Sequence, residues 1–127
     1  MSHRKLIGWG ALQGAVAIAM GAFGAHALRP RVAPRDLEIF EVGARYHMYA
    51  ALATILIGLA VERGVRARGA GWLMQVGIVL FSGSLYALAI TGVRSLGAIT
   101  PVGGVAFLTA WLWLAKSAWS SPRESAP

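Results

Sequence analysis

Four stretches that are apolar over most of their length, joined by short arginine-bearing connections, make up nearly all of this 127-residue chain. A hydrophobic share of 57% and a charged share of 13% lie well outside the soluble balance of roughly half apolar and a quarter charged. In water a chain of this size buries only about two thirds of its surface, which would leave large apolar patches exposed. Lipid accepts them, so the composition reads as one compact transmembrane domain over 1–127. The net charge of +7 comes from twelve Lys and Arg residues scattered through connections and tails. They form no groove-lining run, which argues for lipid headgroups and against nucleic acid as the partner. With no cysteine, disulfides and thiolate chemistry are excluded.

The spacing predicts an all-α membrane protein, a four-helix transmembrane bundle with an amphipathic extension before helix 2. Leu6 to Leu28 carries no formal charge and, at about 1.5 Å per residue, is long enough to cross a hydrocarbon layer of roughly 30 Å. His3, Arg4 and Lys5 ahead of it, with Ala25-His26-Ala27 near its end, imitate a signal peptide. The apolar run exceeds the length of a signal core, and it is read as a span. The charge-free stretch between Arg45 and Glu62 is too short to cross alone. Pro34 suits a first helical turn, Asp36 and Glu38 suit the positive end of the helix dipole, and Glu41 can pair with Arg45. One helix over about 34–61 is therefore expected, its first turns among headgroups, with a break near Gly43 allowed but not required. ERGVRARGAG (Glu62 to Gly71) reads as a tight polar turn, and helix 3 is expected over 72–91. Thr100 before Pro101 reads as an N-cap and first-turn proline for a helix over 101–119, followed by a disordered tail over 120–127.

Arg4, Lys5, Arg63, Arg66, Arg68, Lys116 and Arg123 fall on the side of the termini; Arg29, Arg31, Arg35, Arg45 and Arg94 fall on the other. Seven against five favours cytoplasmic termini. Small residues let helix backbones approach closely in lipid, and Gly10, Gly14, Ala17, Gly21 and Gly24 form such a ridge on helix 1. Gly83, Ala87 and Thr91 form a comparable row on helix 3. Gln13 and Gln75, each alone in an apolar run, read as interhelical hydrogen-bonding groups.

Polar residues gather on the side away from the termini: His26, Arg29, Glu38, Glu41, Arg45, His47 and Tyr49. Ion pairing at headgroup depth accounts for them most simply; a protonatable or anion-binding pocket is the sharper alternative. Two histidines and two glutamates could ligate zinc, yet no HExxH or comparable spacing supports a metal, and neither a metal nor a cofactor is expected. No nucleophile with an adjacent base, no phosphate loop and no dinucleotide fingerprint is present. Alternating-access transport is weakly supported, because four spans lack the paired mid-membrane interruptions of a broken-helix site.

GAFGAHALRP (Gly21 to Pro30), LEIFEVGARYHMYAALA (Leu37 to Ala53), GWLMQVGIVLFSGSLYALAITG (Gly71 to Gly92) and LGAITPVGGVAFLTAW (Leu96 to Trp111) closely resemble the small four-span bacterial membrane family known as domain of unknown function 423. The resemblance covers almost the whole chain. It implies a plasma-membrane protein, the bacterial inner membrane in this case, with relatives in eukaryotic membranes and no established biochemical activity. Two departures stand out. The family pattern after YxMY usually continues with histidine where this chain has Ala50, which weakens a two-histidine site; and Ala33 replaces the serine that often precedes the proline opening helix 2.

These features favour a non-enzymatic integral membrane protein that forms a homo-oligomer or joins a larger membrane complex. A small-solute or proton-conducting pore formed by an oligomer, with His26, Glu41, Arg45 and His47 at its mouth, is the alternative. A lipid-modifying membrane enzyme is the third reading.

Overall fold

The structure is a computed structural model and describes residues 1–122. It is all-helical: among the described residues there is no strand, and four helices are long and apolar enough to cross a membrane. Only a helix or a closed barrel satisfies every backbone N–H and C=O inside hydrocarbon, which is why these apolar runs coil.

The first helix, α1, spans His3–Leu28, α-helical over His3–Phe23 and π-helical over Gly24–Leu28. It begins three residues before the first apolar position because the Ser2 hydroxyl caps it, accepting a hydrogen bond from Lys5 N at 3.2 Å. The charged first turn is therefore helical though it lies outside the apolar run. The second helix, α2, runs unbroken over Pro34–Glu62. Ala33 is extended (φ −62°, ψ 151°) and offers no side-chain cap, so the fixed φ of Pro34 opens the helix unaided.

The third helix, α3, spans Arg68–Thr91 and widens to a π-helix over Ile78–Gly83. Its start lies four residues ahead of the expected Trp72. Gly69, Ala70 and Gly71, expected to form a loop, lie in its first turn: Ala70 is fully buried, Gly69 lies against the Trp113 ring, and Gly71 against Leu6. The turn before it is five residues, Arg63–Ala67, with Gly64 in the left-handed region (φ 92°). Gly92 (φ 72°) ends α3, its N–H reaching Leu88 O at 2.8 Å. A 3₁₀ turn over Arg94–Ala98 leads into α4, Thr100–Ser120. Thr100 is not the expected N-cap. The chain enters helical geometry at Ile99 (φ −79°, ψ −34°), and the Thr100 hydroxyl is engaged by Ser84 Oγ at 2.6 Å. Of the tail expected from Ser120, that residue closes α4, and 123–127 lie outside the described residues.

The helices pack in chain order, α1 on α2, α2 on α3 and α3 on α4. Gly10, Ala17 and Gly24 are buried along α1 at a seven-residue period. A Cβ on Gly10 would lie 2.7 Å from Ile55 Cγ1, and across the seam one on Gly58 would lie 2.8 Å from Ile7 Cγ1. The backbones of α1 and α2 thus touch with almost no side chain between them. Of the others placed in this ridge by sequence, Gly14 still faces α2 at a looser distance, a Cβ there lying 3.9 Å from Ala51 Cβ and Met48 Sδ, while Gly21 drifts off the seam and nothing comes within 4 Å of its Cβ position. A straight helix turns away from a four-residue row but stays close to a seven-residue one. Gly83 likewise meets only the Ile78 carbonyl of its own helix, at 3.8 Å, because it closes the π-helical stretch. Leu6, Ala50, Ala53, Ile57, Met74, Ile78, Phe107 and Ala110 form the main core, while Ile18, Val79, Leu108 and Leu112 project outward as lipid-facing residues must.

Candidate functional site

A polar side chain in hydrocarbon must find a partner, and in this bundle the partners form a single line. Tyr86 of α3 meets His47 of α2, Oη to Nδ1, at 2.9 Å. His47 Nε2 meets Gln13 Oε1 of α1 at 2.6 Å. Gln13 Nε2 then donates to Gln75 Oε1 of α3 at 3.3 Å, Gln75 Nε2 to Thr54 Oγ1 of α2 at 3.0 Å, and Thr54 Oγ1 to the Ala50 carbonyl at 2.7 Å.

The donors and acceptors fix a direction. Gln13 uses its amide N–H on Gln75, so its oxygen must accept from His47, which places the ring proton on Nε2. Nδ1 of the neutral ring is then the acceptor for the Tyr86 hydroxyl. Every bond from Tyr86 to Ala50 O points the same way, the arrangement in which hydrogen bonds polarise one another constructively. No member carries a formal charge, so the line crosses the apolar interior without the cost of burying an ion. The amides of Gln13 and Gln75 pass on a hydrogen bond without passing on a proton. The arrangement therefore acts as a fixed strut linking α1, α2 and α3, with the two proton-exchanging groups, His47 and Tyr86, adjacent at one end.

Two further interhelical bonds lie outside this line. Ser82 Oγ donates to Gly43 O at 2.7 Å, and the Tyr86 ring covers Gly43 so closely that a Cβ there would lie 3.0 Å from Tyr86 Cε1. The Ser84–Thr100 contact ties α3 to α4. At the opposite end of α4, Trp113 Nε1 and Ser117 Oγ both donate to Arg66 O, at 3.2 and 2.8 Å. Among the described residues no buried side-chain nitrogen or oxygen lacks a partner.

The seven polar residues singled out by sequence do not form one site. Two residues on a helix are about 200° apart, so Arg45 and His47 face opposite ways. His47 is buried at 3% exposure, whereas Glu38, Arg45 and Tyr49 are exposed and Glu41 is half-exposed. His26 is exposed at the end of α1. Arg29 and Glu41 are brought together, at 3.9 Å and largely in solvent, with Glu41 reaching α1 in place of Arg45. Tyr49 stacks edge-on against Tyr46, ring centroids 5.4 Å apart, on a face of α2 that holds neither His47 nor His26. Among the described residues no three His, Asp or Glu side chains gather as a metal centre would need. Asp36 makes a closer ion pair than any of these, with Arg94 at 2.9 Å, joining the start of α2 to the 3₁₀ turn. Tyr86 and Thr54 are missed by the sequence reading, although each is a hydrogen-bonding group inside an apolar run and so needs a partner.

Four lipid-length helices whose interior polar groups are satisfied by one another define a polytopic membrane protein. Residues 20–104 match the family described as protein of unknown function (DUF423), and the chain belongs to it. It is 44% identical over 112 residues to the UPF0382 membrane protein YwdK of Bacillus subtilis, covering 86% of this chain and 91% of that protein. A UPF0382 membrane protein of Staphylococcus epidermidis is 48% identical over 106 residues, covering 83% of this chain and 87% of its own length. No solved structure matches the chain. It is thus a membrane protein of an uncharacterised family.

Proposed function

We propose that the protein is a non-enzymatic component of the bacterial inner membrane that works by lateral assembly into a homo-oligomer. The observation that carries this reading is a groove of about 800 Å³ between α2 and α4, open to the lipid. Its floor is small or flat, with Ala50, Ala53 and Gly104 beside the rings of Phe81 and Phe107, and Tyr46, Tyr49 and Trp111 stand at its rim. Aromatic and small residues together are the composition of a helix-packing interface. The same face carries Leu52, Val105 and Leu108 as exposed projections. A two-fold contact needs a patch complementary to itself, and this face supplies both hollow and knob. The strut at His47 supports the non-enzymatic part, because its polar groups are consumed in bonding one another.

A photo-reactive phenylalanine at Leu108 is expected to give an adduct of twice the protomer mass in native membranes, and one at Val79 on α3 is not. An adduct with another protein would replace the homo-oligomer by a larger complex, and monomers alone would overturn assembly. On the same reading both termini are cytoplasmic, so a C-terminal reporter active only on the outer face would overturn the orientation.

A further inference from the structure

We infer that the end of the bundle carrying the Arg63–Ala67 turn holds a binding site for the headgroup of an anionic phospholipid. A cleft of about 730 Å³ opens there between the turn and the last three turns of α4. Its wall brings two cations from separate elements, Arg66 and Lys116, onto one hollow that also presents the hydroxyl of Ser120. The hollow is built rather than incidental. The Arg66 carbonyl receives both Trp113 Nε1 and Ser117 Oγ, which pins the turn to α4 and leaves the guanidinium outside those bonds.

The chemistry divides along the helix. At the cleft the lining is cationic and hydroxylic, suited to a phosphodiester with a polar glycerol or serine head. Immediately deeper, Thr109 and Leu112 line the same wall of α4, Leu112 at 68% exposure, and leave it bare for the start of an acyl chain. Their spacing of three residues keeps them on one side of the helix. A soluble phosphate would use the first half of this surface only. An amphiphile with a negative head uses both, and a zwitterionic lipid carries no net charge for the two cations to neutralise.

The test is native mass spectrometry of the full chain in detergent with equal phosphatidylglycerol and phosphatidylcholine. A retained phosphatidylglycerol, preferred over phosphatidylcholine, is the expected result. Each cation near the surface contributes about five-fold in affinity, so Arg66→Gln with Lys116→Gln should lower the preference more than about ten-fold. Arg29→Gln with Arg31→Gln, at the other end of the bundle, should leave it unchanged. Should the first double variant fail to fold, Lys116→Glu alone, at an exposed position on α4, must lower the preference at least about five-fold. Equal retention of the two lipids, survival of the preference in either cleft variant, or its loss in the distal one overturns the site. Displacement of the lipid by millimolar inorganic phosphate would mark a free-phosphate site and overturns the lipid assignment.

Discussion

His47 is the residue on which three helices meet, since its ring is bonded on one edge by α3 and on the other by α1. Replacing it by alanine leaves the Tyr86 hydroxyl and the Gln13 oxygen facing each other across an apolar gap. A buried group left without its partner costs about 1–3 kcal/mol. We therefore expect His47→Ala to lower the thermal unfolding temperature in detergent, read by helical circular dichroism, while His26→Ala at an exposed position stays within about 0.5 kcal/mol of the parent. Equal effects would remove His47 from the strut. The Gln13–Gln75 bond is testable separately: a double-mutant cycle with leucine at both positions should return a coupling of about 0.6 kcal/mol, the average for interhelical bonds in a membrane protein. At this scale the sequence showed that Gln13 and Gln75 needed partners, because a glutamine alone in an apolar run cannot stay unbonded, but it grouped His47 with the headgroup residues and passed over Tyr86 and Thr54. It did not show who would meet whom. That depends on the rotation of each helix about its axis, which separated His47 from Arg45 and Glu41 though all are near neighbours in the chain.

The elements carry their own test in the glycines, where equal composition hides unequal contact. Gly103 of α4 lies directly on the π-helical stretch of α3: an added Cβ would run into Phe81 N and lie 2.8 Å from the Leu80 carbonyl carbon. Backbone cannot move aside as a side-chain tip can, so Gly103→Ala should destabilise by about 1–3 kcal/mol. Gly21→Ala meets nothing and sits in α-helical backbone, so it should be neutral or stabilising by about 0.4–1 kcal/mol. Denaturation of the two variants in one detergent decides the matter, and a Gly103→Ala protein as stable as the parent would refute the close contact. A regular ridge is legible in sequence only on the assumption of a regular helix. The two π-helical stretches, Gly24–Leu28 and Ile78–Gly83, rotate the facing of the residues C-terminal to them, and nothing in the composition of either segment announces them. The early start of α3 was hidden for a related reason: glycine beside arginine reads as a turn until a partner helix supplies the close packing that makes those small residues useful.

For the whole molecule, the hydrophobic runs determine that the chain crosses the bilayer, and on the proposed orientation it is the balance of cations that directs which way round. Seven Lys and Arg on the side of the termini face five on the other, a narrow margin, and the twelve are all the chain has. Acidic residues contribute little to this choice, so the Asp36–Arg94 ion pair does not subtract Arg94 from the count. The connection between α3 and α4 is the place to perturb it. It is short, Val93 and Ser95 are exposed, and the helix-ending glycine at 92 is untouched by changes there. Val93→Lys with Ser95→Lys equalises the two sides without adding a charge to any α-helical segment. Paired reporters at the C-terminus, one active only inside and one only outside, should then report a mixed population where the parent gives a single orientation. Adding the same two lysines to the Arg63–Ala67 turn, already on the favoured side, should leave the orientation single. If the first variant remains uniformly oriented, the cation balance is not what directs insertion, and the cytoplasmic placement of the termini loses its physical basis.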